Sequence, residues 1–142
     1  MKQFQFRLQR VLELREGIEE REKINLGRAV STLNLIQVNI NTNRQKYEVA
    51  SQERFRDANN IDTIRMYDSY ISGLEYQKEM LLAQKETAEK VVAEARQKYI
   101  KANQDKKVVE KLKDKKLAEY KKYVNRENTR LLDDMKRERQ AV

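Results

Sequence analysis

Apolar side chains recur along the first half of the chain at alternating spacings of three and four residues. The positions are Leu26, Ala29, Leu33, Ile36, Ile40, Asn43, Tyr47 and Ala50. This is the a/d heptad pattern with which helices pack against each other along a seam. Upstream, Leu8, Val11 and Ile18 keep a related phase. Two successive steps of four, from Ile18 to Glu22 to Leu26, predict a local unwinding of the supercoil.

A second stripe with the same spacing begins after residue 60. Its positions are Ile64, Tyr67, Ile71, Leu74, Lys78, Leu81, Lys85, Ala88, Val92, Ala95, Tyr99, Ala102, Lys106 and Val109, followed after a phase shift by Leu117, Tyr120, Val124 and Leu131. We expect the three lysines to pack their stems at the edge of the seam and to hold their ammonium groups in water. Asn43 is a polar seam residue of the kind that fixes register at some cost in stability.

The only cluster of turn-forming residues, at 56–63, separates the two stripes. Asn59 or Asn60 can adopt the left-handed conformation that ends a helix, and Asp62 is a good N-cap for the next one. The sequence therefore predicts one helix over about 4–56, a turn over about 57–62 and a second helix over about 63–138.

Two helices joined by so short a link lie antiparallel. The predicted fold is all-α, a long antiparallel two-helix coiled coil (an α-hairpin) that forms a single unit over residues 1–142. At about 1.5 Å per residue the paired part is roughly 80 Å long. The second helix overhangs from about Lys116, as a single helix or a frayed end. A parallel dimer of one continuous helix, about 210 Å long, is the alternative.

The composition supports helices because the chain has no Pro and only three Gly. It has no Cys, which is typical of a reducing compartment, and no apolar run long enough to span a bilayer. We therefore expect a cytoplasmic protein.

Enzymatic chemistry is not expected. The chain has no His and no Cys, and its isolated glycines form no phosphate-binding loop. An acidic run over residues 13–22 is interleaved with arginines, so it is better explained as a solvated helix face than as a metal site. We predict no catalytic residue, no metal and no cofactor.

Charge is unevenly distributed. Residues 1–100 carry 17 basic and 15 acidic side chains, whereas residues 101–142 carry 14 and 8. The basic end suits an acidic partner. Nucleic acid is one possibility, but the interleaved carboxylates fit a defined acidic protein surface better. Four tyrosines lie near the turn: Tyr47, Tyr67, Tyr70 and Tyr76. Tyr47 and Tyr67 occupy seam positions, so core packing is their first explanation, and a docking patch that includes the partly exposed Tyr70 and Tyr76 is the alternative.

Two segments carry recognisable motifs. Residues 4–16 read FQFRLQRVLELRE, and residues 67–74 read YDSYISGL. They resemble the opening F-x-F-R-L-Q-x-V-L-x-L-R-E and the later Y-x-x-[YF]-I-x-x-L of the FliJ family, whose members are small components of the flagellar type III export apparatus. Where other members have an aromatic residue one turn before Tyr47, this chain has Asn43.

The resemblance implies a soluble stalk that links the export ATPase and its regulator to the cytosolic domain of the membrane export gate, and that assists export chaperones. It also implies a monomer at the cytoplasmic face of the inner membrane, at the flagellar base, with no transmembrane segment and no nucleic-acid partner.

Two sets of site residues follow from the resemblance. The surface that contacts the export gate would include Ile40, Tyr47, Tyr70 and Leu74. We expect Tyr70→Ala or Leu74→Ala to weaken gate binding without loss of helicity. The residues that face the ATPase ring would be Lys113, Lys116, Lys121, Lys122, Arg126 and Arg130. A structural coiled coil without an export role and a basic rod that binds nucleic acid are the alternatives left open by the sequence.

Overall fold

The computed structural model describes residues 3–56 and 59–141, and in these residues the protein consists of two helices and no strand. Helix α1 spans Gln9–Glu53 and helix α2 spans Ile61–Ala141. The predicted all-α hairpin is confirmed, because the two helices pack on each other in antiparallel direction within one chain. The alternative of one continuous helix is therefore wrong.

The N-terminal segment departs from the predicted helix. Residues 3–8, called here the N-terminal strap, are not helical, and α1 begins five residues later than expected. In the strap, apolar Phe4, Phe6 and Leu8 alternate with polar residues. This period of two suits an extended segment with one face packed, whereas a helix needs a period near 3.6.

The connection between the helices, residues 54–60, begins and ends earlier than predicted and is capped differently. Helix α1 ends at Glu53, and the Arg56 guanidinium bonds back to the Glu53 carboxylate at 3.2 Å. Asn60 caps α2, since its Oδ1 accepts a hydrogen bond from the Thr63 N–H at 3.3 Å. Asp62, predicted as the cap, lies instead in the first turn of α2.

The expected left-handed residue is also absent from the part of the connection that the structure describes. Neither Asn59 nor Asn60 has a positive φ. Asp57 and Ala58, which belong to the predicted turn, lie outside the described residues.

Contacts group the chain into two compact units, each with its own paired helices. The turn unit comprises residues 22–99, and the terminal unit comprises residues 1–21 and 100–142. The expectation of a single unit over the whole chain stays a prediction.

The turn unit is held by a narrow seam of small and medium side chains. Its buried residues are Asn43, Ala50, Leu74, Ala88 and Val92, all of which belong to the predicted stripes. Near the turn, Arg54 Nε lies 2.7 Å from the Asp68 carboxylate. This ion pair joins the end of the α1 side of the hairpin to α2.

The terminal unit has a smaller apolar core and more cross-helix polar contacts. Leu12, Ala102 and Val109 are buried. Around them, Arg15 pairs with Asp105 at 3.6 Å, and Glu19 pairs with Lys106. The Asn103 amide donates to the Glu19 carboxylate at 3.4 Å.

The predicted seam of the terminal unit was wrong at Val11. Leu12 is buried, whereas Val11 is 36% exposed. In the terminal unit, Leu8, Leu12, Arg15 and Glu19 are at least half-buried and keep the spacing of three and four. Ile18 is half-buried as well, so the local unwinding expected between Ile18 and Leu26 stays a prediction.

The uncovered end of α2 begins later than predicted. Leu117, Tyr120 and Val124 are half-buried, and every residue over 128–141 is exposed. The strap accounts for part of this difference, because the Phe4 ring packs on Tyr120. Neither helix carries a stretch that is apolar enough over a sufficient length to span a bilayer, within the described ranges.

Candidate functional site

All four residues predicted for the export gate belong to the turn unit, and three of them line the same groove. Ile40, Tyr47 and Leu74 line a groove of about 370 Å³, here called the Tyr47 groove. Its other lining residues are Asn43, Arg44, Glu75 and Lys78. The groove combines an aromatic wall with charges of both signs, so it can take an apolar side chain flanked by polar groups.

Tyr70, the fourth predicted residue, lies in a different groove. That groove, of about 380 Å³, is called here the Tyr70 groove, and it is lined by Thr42, Gln45, Lys46, Val49, Ala50, Glu53, Tyr67 and Tyr70. The two grooves share no lining residue. Arg44 follows seam residue Asn43 by one position, whereas Tyr70 precedes seam residue Ile71 by one. The grooves therefore open on opposite flanks of the seam.

The four predicted residues also differ in exposure. Tyr47 is 38% and Tyr70 is 47% exposed, but Leu74 is only 4% exposed. Truncation of a buried Leu typically costs about 2–5 kcal/mol of stability. We therefore expect Leu74→Ala to lower the free energy of unfolding, because Leu74 packs the hairpin and contributes little free surface. The expected unchanged helicity stays a prediction.

Asn43, at the position where the resemblance implies an aromatic residue, is buried in the seam. Its side chain is 6% exposed, and Nδ2 donates to the Leu74 carbonyl at 3.1 Å and to Gln77 Oε1 at 3.4 Å. Asn43 is thus a seam residue that links α1 to α2, and only its edge reaches the Tyr47 groove.

An uncharged groove of about 550 Å³ was missed by the sequence reasoning. It is lined by Ala29, Thr32, Ile36, Met80, Ala83, Gln84, Thr87, Ala88 and Val91. The sequence holds a signal for it, since residues 29–43 contain no charged side chain in a chain that is 38% charged. On the same stretch of α1, Leu35 and Val38 are 62% and 57% exposed.

The six basic residues predicted for the ATPase ring do not form one face. Lys113 is half-buried and the other five are exposed. Lys122, Arg126 and Arg130 are spaced by four and share one side of α2, here called the basic row. Arg130 also lies 3.5 Å from Glu127, and Lys116 lies 3.6 Å from Glu119.

An apolar stripe runs along the other side of the same segment. It consists of Leu117, Tyr120, Val124, Leu131 and Met135, at spacings of three, four or seven. At about 100° per residue this stripe lies across the helix from the basic row. This part of α2 is therefore amphipathic, and its last two apolar residues are 55% and 60% exposed.

The acidic run at 13–22 is not wholly a solvated face. Glu13, Glu16 and Glu20 are exposed, but Glu19 lies in the seam with its side chain 14% exposed against Lys106 at 20%. The Lys106 ammonium is thus paired inside the seam, contrary to the expectation that it lies in water. No group of three or more potential metal ligands occurs in residues 3–56 and 59–141.

Comparison with known proteins identifies one family. The sequence pattern of the family described as "Flagellar FliJ protein" matches residues 4–140. No curated protein and no solved structure gives a significant match to the chain.

Proposed function

From the premise that the chain belongs to the FliJ family, and is thus a non-catalytic component of the flagellar export apparatus, we propose that it couples the export ATPase ring to the membrane export gate. In this proposal it is a monomer that works at the cytoplasmic face of the inner membrane, at the flagellar base. Its partners are the ATPase with its regulator, the cytosolic domain of the gate, and export chaperones.

The separation of two chemically different surfaces supports a coupling role. The Tyr47 groove belongs to the turn unit, and the basic row belongs to the terminal unit. An aromatic groove suits an apolar anchor of one partner, whereas a row of cations suits an acidic surface of another. A protein with both surfaces can hold two partners at the same time.

For the gate, we favour the Tyr47 groove over the Tyr70 groove. It holds three of the four residues that the resemblance implies, and Tyr47, which is 38% exposed, offers the groove more free surface than Leu74, which is 4% exposed. We expect Tyr47→Ala to weaken binding of the gate's cytosolic domain by about tenfold or more, the loss of one aromatic anchor. Tyr70→Ala should have a smaller effect.

For the ATPase, we expect the basic row to act through charge. The double change Lys122→Glu and Arg126→Glu should weaken ATPase binding, and raising the salt concentration should weaken binding of the unmodified chain.

Isothermal titration of the full chain against each partner tests the proposal. Each change should affect one partner only: Tyr47→Ala the gate, and the charge reversal the ATPase. Tyr76→Ala is a matched control, because Tyr76 is 66% exposed and lines neither groove. If the unmodified chain binds neither partner, the proposal is rejected.

The uncharged groove is our candidate surface for export chaperones. Its lining of small residues and methionine would accept the apolar face of a helix. Thr32→Glu with Val91→Glu, at two exposed residues of the groove lining, should reduce chaperone capture and leave ATPase binding unchanged, as measured by pull-down with purified chaperones. The control, Asn34→Glu with Asn41→Glu, places the same charges at exposed polar positions of α1.

A nucleic-acid partner is not part of the proposal, because carboxylates accompany the basic residues of α2. Titration with duplex DNA at two salt concentrations tests this, and tight binding with a steep salt dependence would contradict it.

A further inference from the structure

The N-terminal strap lies on the segment of α2 that carries the basic row. Its apolar residues Phe4, Phe6 and Leu8 are half-buried, whereas Gln3, Gln5 and Arg7 are exposed. The Phe4 and Tyr120 ring centroids are 5.5 Å apart, with the planes tilted by 46°. This is an aromatic contact of ordinary strength, worth about 0.5–1.5 kcal/mol beyond the area that it buries.

The strap is attached to α2 by side chains rather than by backbone. Among the described residues, its backbone hydrogen bonds outside the helices run locally, from Gln9 N–H to the Phe6 carbonyl and from Leu12 N–H to the Leu8 carbonyl. A segment held by a few half-buried side chains opens at lower free energy than the helices unfold. The strap can therefore leave α2 while the hairpin stays folded.

The apolar stripe of α2 continues past the strap. Leu117, Tyr120 and Val124 are half-buried, and Leu131 and Met135 are exposed. The strap contact and the exposed residues are thus parts of one surface, of which only the first part is covered. Removal of the strap would leave a single apolar stripe of about five helical turns.

The charge of the segment indicates what kind of partner would cover this stripe. Because the basic row lies across the helix, a partner that contacts both sides must enclose α2 with an apolar floor and acidic walls. We propose that the strap and such a partner, the export ATPase ring under the proposed function, compete for the apolar stripe of α2. The chain binds this partner in the form in which the strap is released from α2.

A strap locked onto α2 tests the competition. The chain has no natural Cys, so Phe4→Cys with Tyr120→Cys provides a unique pair that a short thiol cross-linker can join. The cross-linked (locked) form and the same variant without cross-linker (the unlinked form) lack the same two rings. They differ only in whether the strap can leave α2. We expect the locked form to bind the purified ATPase about tenfold more weakly or worse, because the strap can no longer be released.

A loosened strap is the complementary test. Phe4→Ala with Phe6→Ala should raise ATPase affinity by roughly threefold to tenfold, since less free energy is needed for release. Gln3→Ala with Gln5→Ala is the matched control, because both side chains are exposed, and it should leave the affinity unchanged. The inference is overturned if the locked and unlinked forms bind the ATPase equally, or if the loosened variant binds it more weakly than the unmodified chain.

A measurement without the partner separates this inference from the proposed function. A thiol introduced by Tyr120→Cys, at the position that Phe4 contacts, should react several-fold faster when Phe4 and Phe6 are replaced by Ala. Unchanged reactivity overturns the strap as a cover, whatever the ATPase does. If the unmodified chain and the loosened variant both fail to bind the ATPase, the proposed function is rejected together with the partner named here.

Discussion

Single polar residues in the seam decide how the two helices align. Asn43 is the only buried polar residue found in the described chain, and its amide reaches the Leu74 carbonyl and Gln77. In a seam of repeated small apolar residues, a shift by one heptad changes few apolar contacts. It would separate Asn43 from these partners, so the amide favours one register.

Replacing Asn43 by Leu should raise stability and reduce specificity. A larger apolar side chain replaces a buried amide, and we expect a gain of roughly 1 kcal/mol in the free energy of unfolding, with association or mixed registers appearing. Urea unfolding followed by circular dichroism, with sedimentation velocity, measures both effects. Asn39→Leu, at an exposed position one turn earlier, is the control. A destabilised Asn43→Leu variant that stays strictly monomeric would contradict this account.

The Glu19–Lys106 pair should matter more than the ion pairs on the surface. With side chains 14% and 20% exposed, removal of one partner leaves a poorly solvated charge. We expect Glu19→Ala to cost about 2 kcal/mol. Glu86→Ala, which breaks an i,i+4 pair with both side chains 74% exposed, should cost below about 0.5 kcal/mol.

Hydrogen exchange can locate the effect of the Glu19 change. The amides around Lys106 in the terminal unit should exchange faster, whereas those around Leu74 in the turn unit should not. A double change of Glu19 and Lys106 to Leu should recover most of the lost stability, because the seam then buries apolar groups. A Glu19→Ala variant as stable as the unmodified chain would show that the pair is solvated.

The ends of the helices depend on local hydrogen bonds that periodicity does not report. The predicted α2 start at residue 63 rested on Asp62 as the cap, yet Asn60 caps the helix at Ile61. Both side chains are good caps, and a carboxylate in the first turn also suits the positive end of the helix dipole.

Asn60→Ala should therefore be more harmful than Asp62→Ala. Loss of the cap typically costs about 1 kcal/mol, whereas loss of a first-turn carboxylate costs roughly 0.3–1 kcal/mol. Thermal unfolding of the two variants compares them directly. If Asp62→Ala lowers the melting temperature more, the cap has been assigned to the wrong residue.

At the scale of the whole molecule, the fold could be predicted from the sequence but the site geometry could not. The heptads placed Ala50, Leu74, Ala88, Val92, Ala102 and Val109 in the core. They failed at Glu19, because a charged residue in a seam looks like a solvated one until its partner is known. The gate set came from the resemblance, and the heptads alone did not show that Tyr70 lines a different groove from Ile40, Tyr47 and Leu74.

The short connection at 54–60 has a further consequence for how many chains form one seam. Every α1–α2 contact could equally be made between two molecules that exchange their first helices, and only the reversal at the connection keeps the partners in one chain. Deletion of residues 56–59 should prevent the reversal and yield a helix-swapped dimer with twice the 17.0 kDa mass of the chain. Light scattering after size-exclusion chromatography measures this, and a fully helical monomer after the deletion would contradict it.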